Sequence, residues 1–237
     1  MLPPCMGETL QAPRGGWPPL IERALASLVC APALPSLWSA SAPRAAAVQG
    51  LSRLLDLVAL WNQRVDLTAA RSVEELVDLY LIDALVLAAA EPVTSEQQRW
   101  LDVGSGAGAP GLVVQVLRPS VALTLVEPRA KRVAFLRTAI GQLRLGAQLE
   151  SGRSDQLPAR TCDVAFSRAT FPPAEWLAEG ARLARHAVWV LLARGEVPEL
   201  TGWQLERELS YEWPLTSAPR RALRYVPASD VPASDAR

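Results

Sequence analysis

The sequence contains few of the residues from which metal sites and nucleophilic active sites are usually built. It has a single histidine, His186, and three scattered cysteines, Cys5, Cys30 and Cys162. A single histidine argues against a histidine-based metal site and against a Ser-His-Asp triad. Separated cysteines form neither a disulfide framework nor a zinc motif, so we expect a reducing compartment and no metal.

Long apolar runs and an excess of one charge are also lacking. No segment reaches the ~20 apolar residues of a membrane helix, and the apolar stretch 24–42 is broken by Pro32 and Pro35. We therefore expect a cytoplasmic protein without membrane contact. Lys+Arg and Asp+Glu each number 24, so no global field attracts nucleic acid. Lys131 is the only lysine; arginine suits bidentate phosphate contacts, although a high-GC coding bias explains the same composition.

The most informative stretch is Asp102-Val-Gly-Ser-Gly-Ala-Gly-Ala-Pro-Gly111, which predicts a strand, a glycine-rich turn and a helix. Gly104, Gly106 and Gly108 permit positive φ angles and close approach of a ligand to the backbone. A second predicted strand ends at Glu127, roughly 20 positions after the first glycine. Nucleotide-binding βαβ units place the acid that binds a ribose at this distance.

The residues of this loop leave three interpretations open. Gly104, Gly106 and Ala109 satisfy the G-x-G-x-x-A variant of the dinucleotide fingerprint, which indicates NAD. Strict G-x-G-x-G alternation after an acid is typical of S-adenosylmethionine-dependent methyltransferases, whose cofactor has no pyrophosphate. A tight strand-to-helix connection without a ligand is the third interpretation.

Periodicity divides the chain of 237 residues into four parts. They are a poorly structured leader at 1–43, with one short helix near 20–29; a helical prefix at 44–92; an α/β core at 93–227; and a disordered tail at 228–237. Core strands are predicted near 100–103, 121–126, 148–150, 163–167 and 187–192, and core helices near 110–117, 130–143 and 173–185. This alternation predicts a mostly parallel, doubly wound, Rossmann-like sheet, which an antiparallel pair near 203–211 and 223–226 closes.

Four blocks of residues together resemble one known family. They are Trp61–Ala69, Leu101–Leu112, Thr124–Leu136 and Phe166–Ala169. The Pro-Gly after the glycine loop, the Lys-Arg-x-x-Phe-Leu helix and the Ser-Arg-Ala strand end resemble the ribosomal RNA small subunit methyltransferase G (RsmG) family. This family is also called glucose-inhibited division protein B. The resemblance covers about residues 45–226.

The resemblance implies a class I S-adenosylmethionine-dependent methyltransferase acting on N7 of one guanine in 16S ribosomal RNA. It implies the 16S rRNA or the small ribosomal subunit as partner, and a cytoplasmic location. Guanine N7 has a lone pair and no proton, so the reaction needs alignment rather than a general base, and no catalytic residue is assigned. The alternatives are a related methyltransferase with another RNA or small-molecule acceptor, an NAD-binding oxidoreductase, and a non-catalytic relative that senses the cofactor.

Carried over position by position, the resemblance also implies site residues. The predicted cofactor-binding residues are Gly104, Gly106, Gly108, Ala109, Glu127, Ser154, Asp155 and Arg168, and the predicted substrate-binding residues are Lys131, Arg132 and Arg194. Tyr80 and Ala84 stand where the family has His and Ser, and Asp66 stands where it has Asn. We expect Tyr80 and Ala84 near the RNA-binding face, so these departures bear on the acceptor more than on the cofactor.

Overall fold

The computed structural model describes residues 10–27, 37, 43–92, 94 and 97–230. The helices are α1 (Pro18–Ser27), α2 (Arg44–Asn62), α3 (Val73–Ala90), α4 (Gly111–Leu117), α5 (Ala130–Leu143) and α6 (Pro173–Leu183). The strands are β1 (Arg99–Val103), β2 (Ala122–Val126), β3 (Gln148–Glu150), β4 (Cys162–Arg168), β5 (Ala184–Leu192), β6 (Trp203–Trp213) and β7 (Ala218–Pro227). None of these helices is long and apolar enough to cross a membrane.

All seven strands form one sheet in the order β3-β2-β1-β4-β5-β7-β6. The pairs from β3 to β5 are parallel, and β7 is antiparallel to both β5 and β6. The order reverses at β1, so the connections after β1 and β4 leave the sheet in opposite directions and open a crevice between them. The topology confirms the predicted doubly wound, Rossmann-like sheet and its antiparallel closing pair.

The sheet has an apolar cluster on each face because neighbouring residues of a strand point to opposite sides. In β1, Trp100 packs with the prefix helices in the larger cluster, whereas Leu101 packs in the smaller one. Trp176 and Leu177 of α6 cover that second face. Helices on both faces therefore leave the carboxyl ends of the parallel strands as the accessible edge of the core.

Helix α3 carries three buried acids, Asp78 and Asp83 within the helix and Glu91 at its end, which we call the α3 acids. Glu91 forms a two-pronged ion pair with Arg224 of β7, at 2.8 and 2.9 Å. It also accepts the indole N–H of Trp189 in β5, at 2.7 Å. The end of α3 is thus fixed to two strands by charge-assisted hydrogen bonds.

Helix α1 lies inside the range expected to be a poorly structured leader. Ile21, Ala24 and Leu25 are buried on one side of it, and the indole of Trp17 donates to Asp56 of α2 at 2.7 Å. The described part of the leader is therefore packed against the prefix. Residues 228–230 form a single turn of 3-10 helix. Cys5, Cys30 and the tail from 231 onward lie outside the described residues.

Two local expectations need correction. The helix predicted at 173–185 ends at Leu183, and β5 begins at once because Ala184 pairs with Cys162 of β4. His186, expected near a helix end, therefore lies in a strand, where it is exposed.

At the start of α3, Ser72 and Glu75 have the spacing of a capping box, and the hydroxyl of Ser72 accepts the N–H of Glu75. The Glu75 carboxylate, however, accepts the N–H of Arg71 rather than that of Ser72.

Removing the charge of Glu91 should strongly destabilise the fold. Glu91→Gln leaves the buried Arg224 guanidinium with only Glu206, and breaking a buried pair costs about 3 kcal/mol or more. Glu208→Gln, in the exposed pair with Arg221, is the control and should cost under about 1 kcal/mol. Urea denaturation measures both; equal effects would contradict the role given to Glu91.

Candidate functional site

Two neighbouring cavities open at the carboxyl ends of the parallel strands. The first, here called the loop cavity, measures about 380 Å³ and lies between the glycine-rich loop and the segment after β3. The second, here called the hairpin cavity, measures about 500 Å³ and lies beside the β6–β7 hairpin. Thr170 and Phe171, in the connection after β4, line both cavities. A molecule in one cavity therefore lies next to a molecule in the other.

The glycine loop has the backbone geometry that the sequence predicts. Gly104, Gly106 and Gly108 have φ angles of 72°, 56° and 85°. A Cβ on Gly104 would lie 2.2 Å from the Thr170 hydroxyl, and one on Gly108 would lie 2.4 Å from Leu112. No larger residue fits either position without displacement of its neighbours.

Glu127 holds this loop from the end of β2. Its carboxylate is buried and accepts the N–H of Gly106 at 2.8 Å and the N–H of Arg129 at 2.9 Å. Each oxygen thereby uses one lone pair and keeps one. The predicted ribose-binding acid thus lies against the loop backbone, next to Val126 and Pro128, which line the loop cavity.

Ser154 and Asp155 lie on the far side of the loop cavity from the glycine loop. They belong to a single turn of 3-10 helix, in which Ser154 is buried and Asp155 is exposed. Arg182 of α6 fixes this turn by donating to the carbonyl of Ser154 at 2.8 Å. Both residues line the loop cavity together with Gly104, whereas Ala109 packs against the core.

Arg168 is directed toward the hairpin cavity rather than the loop cavity. Its guanidinium donates to Asp83 of α3 at 3.2 Å and to the carbonyl of Leu79. Asp83 is buried and also accepts the Tyr211 hydroxyl at 2.8 Å and the Trp213 indole N–H at 3.1 Å. The second α3 acid therefore joins Arg168 to the hairpin and fixes one wall of the cavity.

Of the three predicted substrate-binding residues, Arg194 alone lines one of the two cavities. Lys131 is exposed at the start of α5. The guanidinium of Arg132 lies 3.6 Å from the point that a Cβ on Gly106 would occupy, so Arg132 covers the glycine loop. Arg194 is exposed in the lining of the hairpin cavity. The structure thus brings Arg194 to the hairpin cavity and Arg132 to the glycine loop.

Tyr80 and Ala84 do not lie on a surface, which corrects the expectation that they are near the RNA-binding face. Both are buried, and the Tyr80 hydroxyl donates to the carbonyl of Ala107 in the glycine loop at 3.0 Å. Burial also raises the pKa of Tyr80. The tyrosine therefore holds the buried side of the glycine loop. Asp66, the third departure, is exposed in the turn after α2.

Nucleophilic and metal-assisted chemistry find little support among the described residues. Cys162 is buried, donates its S–H to the carbonyl of Leu183 at 3.4 Å, and has a pKa raised to about 12 by burial. A thiol with that pKa is a poor nucleophile. No group of three or more His, Cys, Asp or Glu residues suited to a metal ion occurs in the described ranges.

Sequence reasoning did not identify five residues that shape these cavities. They are Thr170, Phe171, Tyr211, Trp213 and Arg220. Phe-Pro-Pro directly after Ser-Arg-Ala-Thr was an available signal for the first pair, because it marks a turn at the end of a strand. Tyr211 and Trp213 had no local signal, since they are more than a hundred positions away from their partner Asp83.

Asp102, the acid before the glycine loop, lies beneath the loop. Its buried carboxylate accepts the N–H of Gly111 at 3.1 Å, and a Cβ on Gly111 would meet it at 2.3 Å. Burial raises the pKa of Asp102 to about 7, against the opposing effects of Arg168 and the Gly111 N–H. Asp102 therefore favours the folded state most when it is protonated.

Replacing Asp102 with Asn should change how stability depends on pH. Because the folded-state pKa is raised, the favourable contribution of Asp102 is complete below pH ~4 and is lost as pH rises through about 7. The unfolding free energy of the native protein should therefore fall relative to Asp102→Asn by up to about 1.4 kcal/mol per pH unit in that window. Denaturation at a series of pH values measures this difference.

Asp163→Asn is the control for this pH experiment. Burial acts to raise the pKa of Asp163, but hydrogen bonds from Arg99 outweigh it and hold the pKa below its usual range. The stability difference for this variant should stay constant between about pH 5 and pH 8. Parallel curves for the native protein and Asp102→Asn would contradict the assignment for Asp102.

Comparison with known proteins identifies the family. The family described as rRNA small subunit methyltransferase G matches residues 47–212. The ribosomal RNA small subunit methyltransferase G of Neisseria gonorrhoeae is 35% identical over 61% of this chain and 69% of its own length. The protein of that name from Halorhodospira halophila is 35% identical over 70% of this chain and 75% of its own length.

Among solved structures, an S-adenosylmethionine-dependent methyltransferase from Aquifex aeolicus is 14% identical, with a TM-score of 0.47, and covers 64% of this chain and 92% of its own. The sheet order, the glycine loop after β1 and the family match agree on a Rossmann-like class I S-adenosylmethionine-dependent methyltransferase fold. The chain belongs to the ribosomal RNA small subunit methyltransferase G family.

Proposed function

We propose that this protein transfers a methyl group from S-adenosylmethionine to N7 of a guanine in the 16S rRNA of the small ribosomal subunit, in the cytoplasm. The observation that carries the proposal is the pair of cavities that meet at Thr170 and Phe171. Methyl transfer needs a donor and an acceptor side by side, with the reacting atoms in line. The glycine loop marks the loop cavity as the donor site and leaves the hairpin cavity for the acceptor.

The residues of the loop cavity fit S-adenosylmethionine. Asp155, Glu175 and Glu179 line it. Asp155 is paired with Arg153 and Glu179 with Arg182, so Glu175 is the lining carboxylate whose charge best suits a cationic ligand. S-adenosylmethionine supplies an electrophilic methyl group on a cationic sulfur. We propose that Gly104, Ser154 and Asp155 contact the donor directly. The glycine loop alone would also suit a dinucleotide, but a carboxylate in the lining opposes a pyrophosphate and favours a cationic sulfur.

In this proposal Glu127 and the glycines that follow Gly104 give the loop its shape. Glu127 fixes the loop through Gly106 and keeps lone pairs that ribose hydroxyl groups can use. Gly108 and Ala109 continue the turn into α4, where Asp102 holds the N–H of Gly111. The loop is thus shaped before a donor arrives, which lowers the free-energy cost of binding.

The chain needs no proton-transfer residue for a guanine N7 acceptor, because N7 presents a lone pair. Its task is to hold the base in line with the donor, which is worth up to ~7–11 kcal/mol when the geometry is right. Arg168, fixed by Asp83, is a rigid part of the wall on the acceptor side. We propose phosphate contacts for Lys131, Arg132 and Arg194, since cationic side chains bind the negatively charged phosphates of a nucleic-acid backbone.

Gly104→Ala should weaken donor binding. Alanine at a φ of 72° is strained by about 1–3 kcal/mol and would displace Thr170, so we expect the Kd for S-adenosylhomocysteine to rise about tenfold. Isothermal titration calorimetry measures this, with NADH as a ligand that should give no heat. Gly141→Ala is the matched control, because a Cβ there meets nothing within 4 Å. Binding of NADH instead of S-adenosylhomocysteine would refute the donor assignment.

A strain that lacks the gene should lose one N7-methylguanosine from its 16S rRNA. The native gene should restore the modification fully, and Gly104→Ala should restore it only in part, because donor occupancy is reduced. Mass spectrometry of digested 16S rRNA measures the modified nucleoside. An unchanged content of N7-methylguanosine in the deletion strain would refute the proposed acceptor but leave the donor assignment in place.

A further inference from the structure

The hairpin cavity has a flat, charged surface on one side. The guanidinium of Arg220 in β7 lies 3.7 Å from the ring centroid of Trp213 in β6. Trp213 is only 5% exposed, whereas Arg220 is half-buried and lines the cavity. One nitrogen of Arg220 donates to the carbonyl of Pro219 at 2.8 Å. The guanidinium is therefore held against the indole by two contacts.

Arg220 also differs from Arg168 in its charge environment. Arg168 forms an ion pair with Asp83, but no ion pair of Arg220 occurs within the described ranges. Arg220 acts on the buried Asp78 through its charge alone, which opposes the rise that burial causes in the pKa of that acid. No carboxylate of the described residues lies within ion-pair distance of Arg220, so a ligand phosphate in the cavity can still approach the guanidinium. An arginine that is already ordered loses little side-chain freedom when a ligand binds.

An aromatic surface enters the same cavity from the connection after β4. Phe171 stacks on Trp176 of α6, with ring centroids 6.1 Å apart and planes 19° from parallel. Phe171 is half-buried and lies where the two cavities meet. The hairpin cavity therefore combines two flat side chains, one of them cationic, with the exposed Arg194.

We infer that the hairpin cavity takes one unpaired guanine base of the RNA, and that Arg220 is the stacking platform that positions it. This inference rests on the proposed function. Unstacked RNA bases are typically bound on aromatic rings and on arginine planes. The volume of about 500 Å³ suits one nucleotide and excludes a duplex.

The chemistry of the acceptor also requires an unpaired base. In an A-form RNA helix, guanine N7 faces the deep, narrow major groove, which side chains cannot enter. A guanine in a single-stranded segment can instead leave its neighbours and enter the cavity. Its flanking phosphate would then face the cationic side of the cavity, where Arg194 and Arg220 lie.

The test compares Arg220→Lys with Arg221→Lys. Lysine keeps the charge of Arg220 but has no plane on which a base can stack. Arg221 is the next residue of β7 and forms an exposed ion pair with Glu208 outside the hairpin cavity, so its variant is the matched control. Both proteins are assayed for methyl transfer to 16S rRNA and small subunits from a strain lacking the gene, with calorimetry of S-adenosylhomocysteine binding and a melting temperature.

We expect Arg220→Lys to lower kcat/KM for the RNA about tenfold or more, chiefly through KM, because stacking on one side chain is worth that much per base. Its Kd for S-adenosylhomocysteine and its melting temperature should match those of Arg221→Lys. An unchanged kcat/KM would overturn the inference and leave the proposed function intact. A tenfold rise in the Kd of Arg220→Lys for S-adenosylhomocysteine would also overturn it, because the donor site would then account for the lost activity. A melting temperature clearly below that of Arg221→Lys would overturn it as well, because the fold would account for the loss. If the native protein binds S-adenosylhomocysteine but methylates neither free 16S rRNA nor small subunits, both this inference and the proposed function are refuted.

Discussion

The arrangement of the cavities depends on the hydrogen bonds and ion pairs that the buried acids of α3 form. Asp78 accepts two backbone N–H groups and a hydroxyl from Leu215 and Thr216 in the hairpin turn. Asp83 joins the hairpin to Arg168, and Glu91 joins the end of α3 to β5 and β7. A carboxylate buried without partners would be prohibitively costly, so each acid requires that its donors stay in place. The helical prefix is therefore part of the wall of the site rather than an appendage to the sheet.

This dependence makes the position of the hairpin a long-range property of the chain. The hydrogen bonds from α3 to the hairpin connect residues separated by 128 to 138 positions. Pairing of β7 with β5 sets the place of the hairpin in the sheet. Asp83, on a helix that precedes the sheet in sequence, also holds Tyr211 and Trp213, which line the hairpin cavity.

The glycine loop, the mostly parallel sheet and the antiparallel closing pair could be predicted, because each leaves a local pattern in the sequence. Alternation of strands and helices is a short-range signal, and so is a row of glycines after an acid. The direction of Arg168 left no such signal, since its partner Asp83 lies 85 positions away. The burial of Tyr80 was missed for the same reason, because its partner Ala107 is in another element. Pairing of Ala184 with β4 ends the helix before the position that the sequence pattern predicts. His186 therefore lies in a strand and not near the end of a helix.

The wall that Thr170 and Phe171 form between the cavities has an energetic consequence. Thr170 lies directly against Gly104, so a molecule that moves it alters the other compartment as well. If a ligand in one cavity changes the affinity of the other cavity for its ligand by some factor, thermodynamic linkage requires the second ligand to change the affinity for the first by the same factor. Under the proposed function, the spent donor and the modified base would thus change each other's affinity by one common factor through two side chains, without any movement of the sheet.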